Sequence, residues 1–338
     1  MTLEEYLSIE YDLAAPVTIR PFSGGFLTEN SVIETASGQR HFLKKQRESV
    51  AQKIDFIESA EIFFFENDIP VILPIKNKQG SLHFVFDSQT YTLYPMIEKY
   101  VQIERDSLSN EQVKSLAETL AKMHMKAASC QLPDTATVAD ARWDTEKALG
   151  KINALARLIS ETDPDGNEEF GELCRKSLQL KQDFLYSNRI TSSNFNLSRP
   201  VLTHGDFHDQ NVFFDLEGRI THIFDFEKAE VVPKELEIVR ALLLICFNHK
   251  YTEKEFKKAE LFIKSYAHLN PIPIDELRGA LSAHVIKAFH STWIEGEHYR
   301  HGNNRVDVFM QGNFDTLRYM DANFDSFCQK ILSFLTDR

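Results

Sequence analysis

The sequence lacks the features that mark several large classes of proteins. No window of about 18 uncharged apolar residues is present to span a bilayer. The amino terminus, MTLEEYLSIEYDLAAP, lacks the basic-then-apolar order of a signal peptide. The few cysteines have no C-x-x-C spacing, which argues against a zinc site and against a disulfide framework; they are Cys130, Cys174, Cys246 and Cys328. We expect a cytoplasmic protein without a membrane partner.

An excess of positive charge is also absent. The chain has 38 Lys and Arg against 50 Asp and Glu, which gives a formal net charge of −12. Such a chain repels phosphate backbones, and no local basic patch is evident, so we expect no nucleic-acid partner. An acidic surface suits a cationic small molecule better. The oligomeric state cannot be derived from these residues.

The 338 residues, 43% of them hydrophobic, can bury a sizeable core, and the chain changes character near residue 100. Before it, β-like runs are separated by turn signals and interrupted by one helical stretch, Val50 to Asn67. After it, apolar residues recur mostly at helical spacing, beginning with a helix that Ser109 can cap. We therefore predict an α+β, bilobal fold. Residues 1–97 form a small antiparallel sheet with one helix, and residues 98–338 form a mostly helical lobe. Further helices are predicted at 141–159, 168–187, 234–248, 252–268, 275–294 and 314–335.

A polar loop, LTHGDFHDQN at residues 202–211, lies between two apolar runs. The following VFFDLEGRITHIFDFE predicts a β-hairpin that ends at Asp225. Because the hairpin returns the chain, Asp206, Asn211 and Asp225 can converge on one point. An aspartate that accepts a hydroxyl proton, with an amide oxygen and a second carboxylate holding Mg²⁺, is the minimal apparatus for phosphoryl transfer from ATP to an alcohol. We predict that Asp206 is the catalytic base and that Asn211 and Asp225 are the metal ligands.

A structural explanation of the same loop is also available. Asp, Asn and Gly are ordinary turn formers, so the segment could be a plain connection between two strands. The matching residues in the amino-terminal lobe favour the functional interpretation.

Lys44 is the candidate for binding the ATP phosphates. It follows Phe42 and Leu43 on the third predicted strand, and Lys45 faces the other side of that strand. A glutamate on the next helix should pair with the lysine. Glu58 and Glu61 are three residues apart and share a face of that helix. We select Glu58 as the partner, although Glu61 fits the pattern as well and either could be a solvated surface carboxylate.

Two further segments are candidates for nucleotide binding. Gly24 and Gly25 stand where a glycine-rich loop would cover the phosphates, although no G-x-G-x-x-G is present and a tight hairpin explains two glycines equally well. YTLYPMIEKY is typical of a segment that joins two lobes, so the backbone of Met96 and Ile97 could bind the adenine edge, with Leu43 or Tyr94 nearby. A buried edge strand is the alternative.

The succession of Gly24-Gly25, Lys44, LAETLAKMH, HGDFHDQN and IFDFE resembles the aminoglycoside phosphotransferase and choline kinase superfamily over about residues 15 to 250. The resemblance implies a protein-kinase-like bilobal fold and ATP- and Mg²⁺-dependent phosphorylation of a small molecule. It also implies that a histidine of the loop, His204, braces it and that His208 lines the cleft. The chain departs from the family after the hairpin, where Glu235 or Glu237 stands in place of an aspartate that opens the next helix.

The acceptor pocket is expected in the helical region after the hairpin. There Trp293, Glu297, Glu295 and Tyr299 could form an aromatic and acidic wall for an ammonium group. The neighbouring Arg300 and Arg305 would suit an acceptor that bears a carboxylate or a phosphate instead. His298 and His301 are spaced for a metal, but no third ligand at useful spacing is evident.

These observations leave three hypotheses. The first is a kinase of a hydroxyl group on a small molecule such as an amino alcohol, a sugar or an aminoglycoside. The second is a protein kinase-like phosphotransferase, which the missing H-R-D and A-P-E sequences disfavour. The third is an ATP-binding regulatory module, which would require a catalytic residue to be missing.

Overall fold

A computed structural model describes residues 1–22, 29–98, 100–101, 103, 107–130, 144–163, 169–191 and 194–336. In these ranges, none of the helices has the length and apolar character that crossing a bilayer requires. The predicted glycine-rich loop at Gly24 and Gly25 lies outside the described residues.

The amino-terminal part carries a five-stranded antiparallel sheet with the strand order β1-β2-β3-β5-β4. Its helices precede β1 and connect β3 to β4. The elements are α1 (Leu3–Glu10), β1 (Thr18–Phe22), β2 (Asn30–Glu34), β3 (Arg40–Lys45), α2 (Glu48–Ala51), α3 (Ile54–Glu66), β4 (His83–Phe86) and β5 (Gln89–Pro95). The predicted order of five strands around one main helix is confirmed, whereas α1 was not predicted.

Helix α1 covers one face of this sheet. Thr2 and Glu5 form a capping box at its start, and Leu7 is fully buried. Leu7 packs in a small core with Ile33, Leu43 and Leu93 from the strands. Since successive side chains on a strand point to opposite faces, Leu43 points toward α1, and Phe42 and Lys44 point to the other face.

The remaining chain is mostly helical and forms a second, larger core. Ser109 caps α4 as predicted, through a capping box with Gln112. The elements are α4 (Asn110–Ala127), α5 (Thr145–Thr162), α6 (Glu169–Tyr186), β6 (Pro200–Thr203), β7 (Val212–Phe214), β8 (Ile220–Ile223), β9 (Glu230–Pro233), α7 (Lys234–Leu242), α8 (Glu253–Leu269), α9 (Ile274–His290), α10 (Trp293–His301) and α11 (Met310–Ser333). The α+β class is confirmed, while the boundary at residue 97 stays a prediction.

The predicted hairpin is present as the pair β7 and β8, and it contacts the amino-terminal part. The amide of Ile72 donates to the carbonyl of Ile223 at 2.9 Å, and the amide of Ile223 donates to the carbonyl of Pro70 at 2.7 Å. This backbone pairing fixes the end of β8, and with it Asp225, against the segment that follows α3.

Two local details differ from the predictions. A short antiparallel pair, β6 with β9, brackets the polar loop and the hairpin, and it was not predicted because each strand has only four residues. The helix predicted over 275–294 is two helices, since α9 ends at His290 and α10 begins at Trp293.

Candidate active site

The loop between β6 and β7 turns sharply at Gly205, where φ is +80°. A Cβ atom placed on Gly205 would lie 1.9 Å from the carbonyl oxygen of Lys228, so any other residue would collide with the backbone that follows Asp225. The glycine in the sequence HGD is therefore required by a close approach of two backbone segments. This approach brings the loop that carries Asp206 beside the turn that carries Asp225.

Glu237 on α7 holds the backbone of the loop through hydrogen bonds. It is buried, and its carboxylate accepts hydrogen bonds from the backbone amides of His204 and Gly205, the former at 3.2 Å. It also accepts from His124 Nε2 at 2.9 Å. Burial raises the pKa of Glu237, but His124, His204 and the hydrogen bond from the Gly205 amide together lower it further, so the net direction is downward. Of the two glutamates considered from the sequence, Glu237 thus contacts the loop, whereas Glu235 accepts from Ser198 Oγ at 2.7 Å.

His204 connects the loop to the end of the hairpin. Its Nε2 lies 3.0 Å from the carbonyl oxygen of Phe224, so this nitrogen must carry the proton. Its Nδ1 then accepts from the backbone amide of Asp206 at 3.2 Å. The neutral imidazole therefore fixes the backbone of Asp206 relative to that of Asp225, which agrees with the bracing role that the resemblance implied.

Two cations bind the carboxylate of Asp206. Arg240 on α7 donates to Oδ1 through Nε at 3.0 Å and also through Nη2, and Lys228 Nζ lies 2.7 Å from Oδ2. Burial raises the pKa of Asp206, but the charges of Arg240 and Lys228 outweigh it and hold the pKa well below the usual range. Asp206 is therefore ionised at neutral pH.

Asn211 connects the backbone of Asp206 to the residue that precedes Asp225. The Asn211 amide nitrogen donates to the Asp206 carbonyl at 2.9 Å, and the Asn211 carbonyl accepts from the amide of Phe224 at 2.9 Å. Asp225 adopts a left-handed backbone conformation with φ 71°, which costs a non-glycine residue about 1–2 kcal/mol. The carboxylate and the amide oxygen are hard oxygen donors of the kind that Mg²⁺ prefers.

Lys44 on β3 pairs with two carboxylates of the segment that follows β8. Its Nζ lies 2.7 Å from Asp225 Oδ1 and 2.8 Å from Glu227 Oε1, and Glu227 also pairs with Arg47 at 3.1 Å. We call these four residues the Lys44 cluster. Burial raises the pKa of Asp225, but the charge and the hydrogen bond of Lys44, together with His204, lower it further, so the net direction is downward. Lys45, by contrast, pairs with the exposed Glu29 at 2.7 Å.

The structure does not pair Glu58 with Lys44, and this expectation needs correction. Glu58 Oε1 lies 2.9 Å from His83 Nδ1, on the side of α3 that faces β4. Glu61 is one turn further along α3, where it is buried and accepts a hydrogen bond from the hydroxyl of Tyr94 at 3.1 Å. Burial raises the pKa of Glu61 to about 8, although Tyr94 and Lys44 act in the opposite direction.

A cluster of aromatic rings lies beside Lys44. The ring of Phe224 makes edge-to-face contacts with Phe42 and Tyr94, at centroid separations of 5.5 and 5.1 Å, and Lys44 Nζ lies 5.2 Å from its centroid. Tyr94 is buried against this ring, whereas Leu43 packs under α1, and a contact of either residue with adenine stays a prediction.

The predicted adenine-binding residues directly follow β5. Met96 and Ile97 are half-buried where the chain leaves the sheet. Their position is compatible with the predicted role, which stays a prediction.

Each residue predicted to contact the acceptor has other partners in the structure. His208 is buried in the loop, with Nε2 3.9 Å from Asp206 Oδ1. Trp293 packs on Phe309, and Glu297 accepts from Asn303 Nδ2 at 2.9 Å. Glu295 is buried in an ion pair with Lys181 at 2.6 Å, so its charge is already neutralised and the acidic wall is not formed as expected.

Four residues of the site were not assigned roles from the sequence. Glu227 lies two residues after Asp225, a spacing visible in DFE. Lys228 follows it directly, whereas Arg240 reaches Asp206 only because α7 packs beneath the loop. His124, at the end of LAKMH, contacts Glu237, and the Tyr266 hydroxyl donates to its Nδ1 at 2.8 Å.

Comparison with protein families gives one match. The model of the phosphotransferase enzyme family matches residues 18–255, which is more than half of the chain. That range includes β1 to β9 and every residue discussed above in the loop, the hairpin and the Lys44 cluster. No curated protein sequence matches the chain significantly.

Several solved structures share the fold at low sequence identity. An aminopropanol kinase associated with a microcompartment superposes with a TM-score of 0.60 at 14% identity, covering 94% of this chain and 96% of the other. An aminoglycoside phosphotransferase from Alicyclobacillus acidocaldarius gives 0.60 at 14% identity, covering 98% and 97%. A spectinomycin phosphotransferase in complex with ADP and spectinomycin gives 0.58 at 16% identity, covering 94% and 93%. At these identities the likeness shows the fold alone, which is that of the bilobal kinases.

Proposed function

Because the chain belongs to the phosphotransferase enzyme family and is a kinase of an alcohol group on a small molecule, we propose that its phosphoryl donor is ATP, with Mg²⁺ as the metal. The observation that supports this proposal is a chain of contacts: Asn211 bonds to the backbone of Asp206 and to that of Phe224, the residue before Asp225, and Asp225 pairs with Lys44. The spectinomycin phosphotransferase with the same fold binds ADP, and an amicoumacin kinase was solved with AMP-PNP and Ca²⁺, which supports a nucleotide and a divalent cation here.

Asp206 is the group that receives the proton of the acceptor hydroxyl. The acceptor oxygen forms a bond to the γ-phosphorus, the bond between that phosphorus and the oxygen of ADP breaks, and the proton passes to Asp206. A carboxylate with such a low pKa is a weak base, so the proton moves late and the main task of Asp206 is to orient the hydroxyl. Arg240 and Lys228 keep that carboxylate ionised and in place.

Lys44 holds the phosphates of ATP, and the carboxylates of Asp225 and Glu227 position its ammonium group. Asn211 and Asp225 would hold Mg²⁺, which neutralises charge on the phosphates when bound. Their donor set fits this ion, because it consists of one carboxylate and one amide oxygen on a hydrogen-bonded loop. Backbone groups of Met96 and Ile97 bind the adenine edge, and residues around Gly24 and Gly25 cover the phosphates.

The test is ADP formation from Mg²⁺–ATP across a panel of hydroxylated compounds: choline, ethanolamine, homoserine, hexoses and aminoglycosides. Asp206→Asn serves as the control. We expect one class of acceptor to stimulate ADP formation in the wild type and not in the variant. ATP binding without stimulation by any acceptor, in this panel or a wider one, would favour the regulatory hypothesis instead.

A further inference from the structure

Two carboxylates and a histidine lie together at the edge of the amino-terminal sheet, and none of them takes part in the proposed phosphoryl transfer. Asp55 and Glu58 are three residues apart on α3 and therefore share a face of that helix. His83 is the first residue of β4, which is an edge strand. One possible ligand atom from each side chain, a carboxylate oxygen or a ring nitrogen, lies within 4.8 Å of the others. We call these three residues the α3–β4 cluster.

The fold places the members of the α3–β4 cluster side by side. His83 is paired in register with Thr92 of β5, and Thr92 is paired with Lys44 of β3. Because directly paired residues point to the same face of a sheet, His83 points to the face from which Lys44 projects. There its Nδ1 lies 2.9 Å from Glu58 Oε1. Two of the three side chains are thus held in contact, while Asp55 is exposed and can adjust its rotamer.

The negative charge of the α3–β4 cluster is poorly compensated. In the ranges that the structure describes, no lysine or arginine pairs with Asp55 or Glu58, and the imidazole of His83 is the one group that contacts the Glu58 carboxylate. The side chain of Glu58 is only 12% exposed, so water solvates its charge incompletely. A divalent cation would supply the charge that the neighbouring side chains lack.

A buried hydroxyl without a partner lies near the same edge. Tyr11 packs edge-on against Phe84, the residue that follows His83, and its Oη atom has no hydrogen-bond partner among the described residues. Burial raises the pKa of this hydroxyl, and Tyr6 and the charge of Glu58 act in the same direction, so Glu58 is within electrostatic reach of it. This edge of the sheet therefore holds polar groups that the described side chains leave unsatisfied.

The ligand types indicate which ion fits. Zn²⁺ binds imidazole nitrogens and carboxylate oxygens at about 2.0–2.2 Å and can take water as its fourth ligand, whereas Mg²⁺ and Ca²⁺ prefer oxygen ligands alone. Tetrahedral ligand atoms at that distance lie about 3.4 Å apart, so a small rotation of the exposed Asp55 closes the site. Cysteine spacing, the basis for expecting no zinc site, has no bearing on a ligand set of this kind.

We propose that the α3–β4 cluster binds one Zn²⁺ ion, with Asp55, Glu58 and His83 as its protein ligands, and that the ion links α3 to β4. The ion replaces the proton between Glu58 and His83, so their contact becomes a shared coordination rather than being lost. Glu61, one turn further along α3, is hydrogen bonded to Tyr94. A link through Glu58 therefore holds against the sheet the same helix that carries Glu61. The proposal does not depend on the kinase function.

Calorimetry on metal-free protein tests the binding. Zn²⁺ is titrated without nucleotide in excess Mg²⁺, which fills the site proposed at Asn211 and Asp225. We expect the wild type to bind Zn²⁺, and we expect Asp55→Ala and His83→Ala each to weaken that binding by at least about tenfold, because a ligand is lost. Asp55 has no side-chain partner in the described ranges, so Asp55→Ala should fold like the wild type. No binding to the wild type, or unchanged affinity in both variants, overturns the proposal.

A histidine elsewhere on the surface provides the matched control. His268 is exposed near the end of α8, and we expect His268→Ala to bind Zn²⁺ as the wild type does. An equal loss of affinity in His268→Ala would show adventitious binding to surface histidines and would overturn the assignment.

Thermal unfolding tests the link between α3 and β4. We expect Zn²⁺ at about 100 times its Kd to raise Tm of the wild type by about 3–5 °C, because the ion binds only the folded arrangement of the three ligands. The same addition should leave Tm of Asp55→Ala nearly unchanged. An equal rise in both proteins overturns the link.

X-ray absorption at the zinc edge identifies the ligands directly. We expect a shell of nitrogen and oxygen atoms with the scattering pattern of one imidazole. A sulfur atom at about 2.3 Å would place the ion on a cysteine and would overturn the proposed site.

Discussion

The catalytic loop and the Lys44 cluster lie on the same cleft but differ in what holds their side chains. The loop is fixed by hydrogen bonds from backbone amides to one buried carboxylate, that of Glu237, and by the neutral His204. The Lys44 cluster is held by ion pairs between residues about 180 positions apart in the chain, Lys44 with Asp225 and Arg47 with Glu227. Phosphates can replace the carboxylates bound to Lys44, and a metal ion can replace the ammonium group bound to Asp225. The hydrogen bonds between the loop amides and Glu237 offer no such exchange. The comparison indicates that the loop carrying Asp206, the proposed base, is preformed, whereas the Lys44 cluster, the proposed nucleotide site, can exchange its ion-pair partners.

Removal of the base on the preformed side should have the largest effect. We expect Asp206→Ala to lower kcat by about 10³-fold or more, because both the orientation of the hydroxyl and the proton acceptor are lost. Nucleotide affinity should persist, since Lys44, Asn211 and Asp225 remain. Steady-state kinetics and a nucleotide titration measure the two quantities, and near wild-type turnover would show that Asp206 is not the base.

Substitution on the adjustable side should act on nucleotide binding. We expect Asp225→Ala to weaken the binding of Mg²⁺–ATP by at least about tenfold, because the carboxylate ligand of the metal is lost. Parallel titrations with and without Mg²⁺ provide the control, since the variant should lose mainly the part of the affinity that depends on the metal. An equal loss under both conditions would contradict the assignment of Asp225 as a metal ligand.

The support of the loop by Glu237 can be removed without changing Asp206, Asn211, Asp225 or Lys44. We expect Glu237→Gln to lower kcat about tenfold and to reduce the free energy of unfolding by about 1–3 kcal/mol. The reason is that an NH₂ group replaces one carboxylate oxygen and then faces N–H donors of the loop or of His124 without an acceptor. The KM for nucleotide should change little, which distinguishes positioning of the loop from a general loss of structure. Glu235→Gln, two residues earlier on the same helix and bound to Ser198, is the matched control; a similar fall of kcat in both variants would refute the specific role of Glu237.

The smallest expected effect concerns Glu61, which has a pKa of about 8 in the folded protein, well above the value of about 4.3 in an unfolded chain. The folded state therefore keeps a proton that the unfolded state releases, and this group's contribution to stability is lost as the pH rises from about 4.3 toward 8. We expect Glu61→Gln to raise Tm at pH 8 by roughly 2–4 °C relative to wild type and to have little effect at pH 4. Thermal unfolding at both pH values measures this, and an equal shift at both would contradict the protonation of Glu61.

The sequence could predict the elements whose signals are local. The HGD loop, the hairpin to Asp225 and the strand that carries Lys44 all follow from residue spacing and periodicity, and the structure has them where they were expected. Arg240 could not be found in this way, because its contact with Asp206 depends on how α7 packs against the loop. The choice between Glu58 and Glu61 depended on the rotation of α3, which the shared helical face of these two residues does not determine.

The acceptor region was the least predictable from sequence. Glu295 is in a segment that looks acidic and aromatic, but a lysine 114 residues earlier neutralises it in the folded chain. Helix packing decides which distant charges neutralise each other, so local composition cannot predict this neutralisation. For the same reason the positive charge around Asp206 emerges only in the folded structure.

The most direct test of the account is transfer of the radiolabelled γ-phosphate of ATP to a hydroxylated acceptor by the wild type and by Asp206→Asn, with nucleotide affinity measured for both. The account predicts a labelled phosphorylated acceptor with the wild type only, at similar nucleotide affinities. A labelled acceptor formed equally well by Asp206→Asn would contradict the role of the preformed loop as the site of chemistry.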